Sequence, residues 1–288
     1  MKQAGILVEC QSAWNTLILP VKKKAGQDYR PVQDLRLVNQ ATVTLHSTVP
    51  NPYTLLSLLP PRTKVYTRLD LKDAFFCIRL APASQPIFAF EWEDPVGGTK
   101  QQLTWTPLQG FKNFPTIFGE ALASDLDSSQ PENDGCWLLQ YMDDVLLAAE
   151  TKGKCWEGTK AVLLLLMEGY RMSKKKAQLC KEAVRHLGFV LKKGTRLLGK
   201  PRNEVILRIP TPKTRWQVWE FLGATGFCRI WIPGYSQMAH PLCELLIEPK
   251  QSPVHWTGKQ QKACEELSLA LLSAPALGLP DLAKPFPL

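Results

Sequence analysis

The amino-acid sequence predicts an α+β fold, because its strands and helices follow one another without the regular βαβ alternation of a doubly wound sheet. Alternating apolar and polar residues, as in KVYTRLDL at 64–71, are typical of strands. Longer apolar stretches predict helices at 111–126, 154–168 and 215–230. Breaks rich in proline and glycine separate these elements near 50–61, 94–98, 128–135, 194–212 and 275–287.

Composition limits the class of protein. A chain of 288 residues that is 45% hydrophobic can bury a core and form two or three substructures. No apolar run approaches the roughly 20 residues that span a bilayer, and the first ten residues do not resemble a secretory signal, so no membrane partner is expected. The eight cysteines form no C-x-x-C pair. We therefore expect neither a zinc site nor a disulfide framework, and thiols that stay reduced in a cytoplasmic setting.

The elements follow in order. TLILPVKKKAGQDYRPVQDL at 16–35 predicts two strands around a basic turn, and VRHLGFVLKKG at 184–194 predicts a further strand. In the strand at 64–71, Leu69 and its apolar partners face one side, whereas Tyr66, Arg68 and Asp70 face the other. With one face buried, Asp70 is expected to project away from the core.

Two adjacent carboxylates, Asp143 and Asp144, interrupt the apolar stretch LLQYMDDVLLAA at 138–149. They fit the turn of a β-hairpin over 140–147, where aspartate caps nearby backbone groups. They also fit a metal site, since a divalent cation such as Mg²⁺ removes the repulsion between neighbouring carboxylates.

A third carboxylate would favour the metal site. If the strand at 64–71 pairs beside the hairpin, Asp70 meets Asp143 and Asp144, and three carboxylates around two Mg²⁺ ions suit phosphoryl transfer. The alternative for Asp70 is a salt bridge with Arg68 or Lys72.

Positive charge is concentrated in one stretch. Residues 171–215 contain 14 Lys and Arg against two acids, whereas the rest of the chain has 21 basic and 24 acidic residues. A solvated face explains such a run, and so does a surface that follows a phosphate backbone.

Several motifs resemble those of retroviral reverse transcriptases, most closely the gammaretroviral type. The central ones stand in the order and spacing of that family, and the resemblance covers about 5–287. They are LDLKDAFF, QGFKNFPTIF and QYMDDVLLAA, extended by DYRPVQDLRLVN, TVPNPYTLL, KKAQLC, HLGFVLK and EFLGATGFCRIWIPGYSQMAHPL.

The resemblance implies a right-hand polymerase fold and an RNA-directed, also DNA-directed, DNA polymerase that extends a primer 3′-hydroxyl with two metal ions, Mg²⁺ or Mn²⁺. The implied domains are the fingers at 1–44 and 82–112, the palm at 45–81 and 113–194, the thumb at 195–257, and the start of a connection segment at 258–288. The implied partners are an RNA or DNA template with its primer and deoxynucleoside triphosphates.

The resemblance also implies roles for individual residues. Asp70, Asp143 and Asp144 would be catalytic metal ligands, assisted by the Leu71 carbonyl next to the nucleotide. Lys23 and Arg30 would hold the triphosphate, Phe75 would exclude a ribose 2′-hydroxyl, and Gln109 would contact the template–nucleotide pair. Judged without the family, Lys23 is a solvated hairpin tip, Phe75 a core aromatic and Gln109 an ordinary loop residue.

The same resemblance places the primer–template duplex along the basic stretch 171–215. The residues that would contact nucleic acid are Lys174, Lys175 and Lys176 together with Leu187, Gly188 and Phe189 of the primer-grip segment. On the helix that follows, Trp216, Trp219 and Phe221 are expected to pack in the core.

The sequence departs from the family at several points. From the resemblance we expect fingers that begin later than in relatives and a chain without the ribonuclease H domain of a parent polyprotein. In addition, WTPLQGF is one residue shorter before Gln109, and Phe114 replaces a small residue. An alternative is therefore a truncated endogenous-retroviral remnant that keeps nucleic-acid binding, or merely the fold, without catalysis. The active form is expected in the cytoplasm, and in the viral particle of a parent retrovirus.

Overall fold

The computed structural model describes residues 2–3, 5–22, 29–46, 50–72, 74, 77–93, 98, 100–105, 110–128, 135–199, 204, 206–247 and 255–279. The chain divides into two compact units. The first comprises Met1–Leu55, Thr67–Leu147 and Lys152–Cys180, and the second comprises Leu56–Tyr66, Ala148–Thr151 and Lys181–Leu288.

Strands and helices are mixed along the whole chain, which confirms the predicted α+β class. The strands are β1 (Leu7–Glu9), β2 (Ile18–Lys22), β3 (Tyr29–Gln33), β4 (Val65–Lys72), β5 (Ala89–Glu93), β6 (Lys100–Trp105), β7 (Cys136–Tyr141), β8 (Asp144–Ala149), β9 (Arg171–Met172), β10 (Gln178–Lys181), β11 (Ala183–His186), β12 (Phe189–Lys192), β13 (Thr195–Leu198) and β14 (Leu277–Gly278). The α-helices are α1 (Arg36–Ala41), α2 (Pro52–Leu55), α3 (Phe114–Asp127), α4 (Lys152–Met167), α5 (Arg215–Gly226), α6 (Tyr235–Ile247) and α7 (Gly258–Leu272).

Two small sheets lie in the N-terminal part of the first unit. Strands β2 and β3 pair antiparallel from Ile18 opposite Gln33 to Lys22 opposite Tyr29, which confirms the two predicted strands. The predicted basic turn between them lies outside the described residues. Strands β1, β6 and β5 form a second antiparallel sheet in that order.

A five-stranded sheet carries the predicted carboxylates. Its order is β10-β4-β8-β7, with β9 also pairing with β4. The predicted hairpin over 140–147 is confirmed as β7 and β8. The Lys64 N–H donates to the Ala149 carbonyl oxygen (2.9 Å), and the Leu71 N–H donates to that of Asp143 (2.9 Å). These two bonds, at opposite ends of the pair, show that β4 and β8 run antiparallel.

Strand β4 is buried on both faces, so the expectation that Asp70 projects away from the core is wrong. Tyr66 is fully buried and Asp70 is only 8% exposed. The Tyr66 hydroxyl donates to the Thr63 carbonyl and accepts from the Gly194 N–H at 2.9 Å. Polar side chains on such a buried strand must find their partners within the protein.

Helices α3 and α4 supply the core of the first unit, close to the predicted bounds of 111–126 and 154–168. Phe114, Phe118 and Leu122 of α3 are buried in one cluster with Val162 and Leu166 of α4. Phe114, which replaces a small residue of the family, is 2% exposed, and its ring stacks on that of Phe118 with centroids 5.9 Å apart.

The second unit combines an antiparallel sheet, β11-β12-β13-β14, with helices α5, α6 and α7. Its first two hairpins turn on Leu187 and Gly188 and on Lys193 and Gly194, and all four residues have positive φ values. Two successive left-handed residues define the type I′ turn, which matches the right-handed twist of hairpin strands. The predicted strand at 184–194 is thus a hairpin.

Helix α5 corrects one expectation about packing. Phe221 is buried as expected, at 3% exposure, but Trp216 and Trp219 are 71% and 61% exposed and stack on each other. The buried stripe of this helix is Val218, Phe221 and Thr225. In the part of the chain that the structure describes, no helix is both long and apolar enough to cross a membrane.

Candidate active site

The β7–β8 hairpin positions Asp143 and Asp144. Strand β7 ends at Tyr141, β8 begins at Asp144, and Met142 between them has a φ of 54°. A non-glycine residue in this left-handed region is strained, and such strain is concentrated at functional sites. The following residues, Val145–Ala149, are fully buried and anchor the turn to the sheet. The two aspartates are therefore held at the tip of a rigid element.

Strand β4 brings Asp70 to the same place. The Leu71 N–H bond to the Asp143 carbonyl joins the end of β4 to the hairpin tip. On the other edge of β4, Leu71 lies opposite Met172 of β9, and the Ser173 N–H donates to the Asp70 carbonyl oxygen at 3.0 Å. Asp70 and the Asp143–Asp144 pair thus lie at facing ends of neighbouring strands.

Two cations of the chain contact these carboxylates. Arg68 donates from Nε (3.2 Å) and Nη2 (2.7 Å) to one oxygen of Asp144. The same Nη2 lies 3.7 Å from an oxygen of Asp70. Lys176 Nζ donates to both Asp70 oxygens, at 3.0 and 3.1 Å. A single nitrogen, Nη2 of Arg68, therefore contacts carboxylate oxygens of both Asp70 and Asp144.

The charges in this cluster act on Asp144. Burial raises the pKa of the Asp144 carboxyl above its ordinary value. The hydrogen bond and charge of Arg68 oppose this rise, whereas the negative charges of Asp143 and Asp70 add to it. The arginine consequently compensates only part of the cost of holding Asp144 ionised among its neighbours.

Carboxylates whose negative charge is only partly compensated by the protein suit a hard divalent cation, which prefers oxygen ligands. The donor chemistry of Asp70, Asp143 and Asp144 fits Mg²⁺ or Mn²⁺. In the described ranges, however, no three His, Cys, Asp or Glu side chains are grouped closely enough to hold a metal ion. Asp70 and Asp144 are held by Lys176 and Arg68 instead.

The lysines of the predicted nucleic-acid surface lie in the turn between β9 and β10. Lys174, Lys175 and Lys176 are exposed, and Lys176 reaches back to Asp70. In the other predicted segment, Leu187 and Gly188 form a hairpin turn.

The third residue of that segment, Phe189, is 1% exposed and stacks on Phe227. The ring of Phe189 thus belongs to the core of the second unit, which leaves the turn at Leu187 and Gly188 as the accessible part.

The nucleotide-binding predictions fall mainly outside the described residues. Lys23, Phe75 and Gln109 all lie outside those ranges. Arg30 is described only through its backbone, which pairs with Val21 in the β2–β3 hairpin.

Sequence reasoning missed the contact between Arg68 and Asp144 and the one between Lys176 and Asp70. The alternation of β4 already placed Arg68 on the same face as Asp70, so the signal for a cation beside the carboxylates was present. The suggested salt bridge between Asp70 and Arg68 is confirmed at 3.7 Å.

Comparison with known proteins defines the class first. The sequence profile of the reverse transcriptase (RNA-dependent DNA polymerase) family matches residues 21–191, more than half of the chain. The chain therefore belongs to that family of enzymes.

Its relatives then specify the type. The chain is 57% identical over 286 residues to the Gag-Pol polyprotein of Koala retrovirus, covering 99% of this chain and 17% of that protein. It is 57% identical over 290 residues to that of Feline leukemia virus, covering 100% of this chain and 17% of that protein. The predicted resemblance to gammaretroviral reverse transcriptases is confirmed, and the chain spans about a sixth of these relatives.

Solved structures agree with the fold. A foamy viral protease-reverse transcriptase in complex with dsDNA has a TM-score of 0.85 and 29% identity, covering 99% of this chain and 57% of that chain. The same kind of protein in complex with an RNA/DNA hybrid has a TM-score of 0.77 and 30% identity, covering 95% of this chain and 35% of that chain. The predicted polymerase fold is confirmed.

Proposed function

We propose that this chain extends a primer 3′-hydroxyl with deoxynucleotides, directed by an RNA or DNA template, using divalent metal ions held by Asp70, Asp143 and Asp144. The observation that carries the proposal is the meeting of β4 with the β7–β8 hairpin at the Leu71–Asp143 hydrogen bond, within a chain of the reverse transcriptase family. The Leu71 carbonyl would complete the ligand set. A bound pair of Mg²⁺ or Mn²⁺ ions would activate the attacking hydroxyl and neutralise the leaving phosphate.

The remaining residues would bind and orient the substrates. Lys23 and Arg30 would hold the triphosphate through charge-assisted hydrogen bonds. The Phe75 ring would occupy the space that a ribose 2′-hydroxyl needs, and Gln109 would contact the template–nucleotide pair. The turn of Leu187 and Gly188 would position the primer end, where a displacement of about 1 Å reduces the rate about a hundredfold.

The duplex itself would follow the basic surface. Lys174 and Lys175 are exposed in the β9–β10 turn, beside the strand that carries Asp70. The foamy viral relatives were solved with dsDNA and with an RNA/DNA hybrid, which supports a duplex partner. Neutralising Lys174 and Lys175 with glutamine should reduce the slope of log affinity against log salt by about 2, since each phosphate contact contributes about 0.9. An unchanged slope would remove these lysines from the interface.

The domain assignment extends from the same resemblance. Residues 1–44 and 82–112 would form the fingers, 45–81 and 113–194 the palm, 195–257 the thumb, and 258–288 the start of a connection segment. The relatives are Gag-Pol polyproteins of retroviruses, which supports a parent polyprotein and a location in the viral particle. A ribonuclease H domain in that polyprotein and a cytoplasmic location would follow from the same resemblance.

A second candidate is a protein that keeps the fold and nucleic-acid binding without catalysis. The observation in its favour is that Arg68 and Lys176 hold two of the three carboxylates, and no three-residue metal group is formed within the described parts of the chain. Both candidates bind a duplex, so only chemistry separates them.

Primer extension on an RNA template tests the proposal. The purified 288-residue chain should extend a DNA primer with Mg²⁺ and stop when the ion is chelated. Asp143→Asn should abolish extension, whereas Asp127→Asn, an exposed aspartate at the end of α3, should not. Duplex binding measured by fluorescence anisotropy should persist in both variants. Binding without extension in the wild-type chain would favour the second candidate, and extension without a metal would refute the first.

A further inference from the structure

The guanidinium of Arg68 bridges two of the proposed metal ligands. Arg68 and Asp70 alternate on one face of β4, and Asp144 begins the neighbouring strand β8. Both Nε and Nη2 donate to the same Asp144 oxygen, and Nη2 also approaches Asp70. One side chain of the protein thus supplies positive charge at the point where a divalent cation would be held.

The side chains of Arg68, Asp70 and Asp144 are less exposed to solvent than those of a surface ion pair. The side chain of Arg68, taken without its backbone, is 20% exposed, that of Asp144 16% and that of Asp70 11%. Partly buried charges interact more strongly than charges in water, because the surrounding medium screens them less. Lys176, by contrast, is 65% exposed, so its contact with Asp70 is the more readily released of the two.

Asp143 is in a different situation. It is exposed at the hairpin tip, and within the described residues no cation is paired with its carboxylate. An incoming metal ion can therefore reach Asp143 without displacing any cation of the described chain. At Asp144 the ion instead meets the guanidinium of Arg68, which holds one carboxylate oxygen with two N–H groups and repels a second positive charge.

We propose that Arg68 is an internal counter-ion that competes with the divalent cation for Asp144 and thereby sets the metal affinity of the ligand-free enzyme. The inference rests on the proposed function, because it takes Asp70, Asp143 and Asp144 as metal ligands. Arg68 acts through Asp144 and is a positioning residue. Binding of the ion is an exchange in which Asp144 loses its guanidinium partner and gains a metal partner.

The exchange explains two features of the site together. The carboxylates are held by Arg68 and Lys176 rather than grouped around a common centre in the described chain. The sheet nevertheless keeps the ends of β4 and β8 joined at Leu71 and Asp143, so the ligands are close to their binding positions before the ion arrives. The arginine relieves the repulsion among the acids when no ion is bound.

Mn²⁺ titration of the full chain, followed by the electron paramagnetic resonance signal of the free ion, tests the proposal. Arg68→Leu should bind Mn²⁺ about tenfold more tightly than the wild-type chain, because the ion no longer competes with the charge-assisted contact of Arg68 for Asp144. Arg62→Leu is the matched control, since it removes an equal charge from an arginine that pairs with Glu150 at 2.6 Å outside the site. Its affinity for Mn²⁺ should not change.

A thermal measurement separates this role from a purely structural one. Without metal, Arg68→Leu should have a lower Tm than the wild-type chain, because Asp144 loses its counter-ion. Saturating Mn²⁺ should then raise the Tm of the variant more than that of the wild-type chain, since stabilisation grows with the ratio of ion concentration to Kd. Arg68→Lys, which keeps the charge, should restore affinity towards the wild-type value, and Arg68→Gln provides a second neutral variant if Arg68→Leu does not fold.

The outcomes are distinguishable. Tighter binding in the neutral variants that disappears when Asp144→Asn is added supports the proposal. Unchanged or weaker binding in a folded neutral variant, with wild-type binding still dependent on Asp143, overturns the role of Arg68 and leaves the proposed function standing. Absence of Mn²⁺ binding from the wild-type chain and from every Arg68 variant overturns both.

Discussion

Gly194 is the position where a single methyl group should cost the most. It has a φ of 71° in the β12–β13 turn, and a Cβ atom there would lie 2.0 Å from the Pro61 carbonyl oxygen. The obstacle is backbone, so no side-chain rotation relieves it. Gly194→Ala must therefore move the turn away from Pro61.

The cost follows from the contacts that this movement breaks. The Gly194 N–H donates to the Tyr66 hydroxyl at 2.9 Å, and its carbonyl accepts from the Leu279 N–H at 3.0 Å. Each hydrogen bond contributes about 1 kcal/mol. An L-residue in the left-handed region adds about 1–2 kcal/mol. The variant should lose about 3–4 kcal/mol of unfolding free energy, and Tyr66 belongs to the strand that carries Asp70.

Gly234→Ala is the matched control. Gly234 has the same φ of 71°, but its Cβ would lie 2.9 Å from Gln237 Oε1 and 3.9 Å from Met238 Cε, both ends of flexible side chains. This variant should lose only the backbone term of about 1–2 kcal/mol. Urea unfolding followed by circular dichroism measures both variants. Equal losses in the two would refute the reasoning, because the close approach to Pro61 would then carry no cost.

Three further predictions concern side chains. Trp219→Ala should change the unfolding free energy by less than about 1.5 kcal/mol, whereas Phe221→Ala should cost about 3–5 kcal/mol, because Phe221 is buried and Trp219 is exposed. Similar urea midpoints for the two variants would contradict this. Burial raises the pKa of the Cys155 thiol to about 12. At pH 8, iodoacetamide should therefore label the exposed Cys243 and spare Cys155, as measured by mass spectrometry. Labelling of both thiols at equal rates would contradict the buried placement of Cys155. Phe75→Val should admit ribonucleotides in primer extension, and unchanged discrimination would remove Phe75 from the proposed gate.

Local patterns predicted the elements of the site well. The hairpin of β7 and β8 could be predicted because two apolar runs enclose a short polar turn, and the β2–β3 hairpin because two strands flank a basic segment. The convergence of Asp70 with Asp143 is a long-range pairing, so residues far apart in sequence had to be matched through the family motifs. The structure supports the pairing through the hydrogen bond between Leu71 and Asp143.

Burial could not be predicted from alternation alone. The pattern of β4 correctly separated its two faces, but it could not show that residues on both of them, such as Tyr66 and Leu69, are buried by parts of the chain distant in sequence. Asp70 is then buried and must take Lys176 and Arg68 as partners. On α5, Trp216 and Trp219 are three residues apart and share a face, but the core contacts the stripe that contains Phe221. Tertiary packing decides which apolar face of a helix is buried.

The central claim is that Asp70, Asp143 and Asp144 together hold a divalent cation at the end of β4. A crystal of the chain soaked in Mn²⁺ tests it most directly, because the anomalous signal of manganese marks the position of the ion. The account predicts an anomalous peak within about 2.5 Å of oxygens from all three aspartates, with the Arg68 guanidinium displaced from Asp144. Manganese bound elsewhere, with the Arg68–Asp144 pair intact at saturating ion, would contradict it.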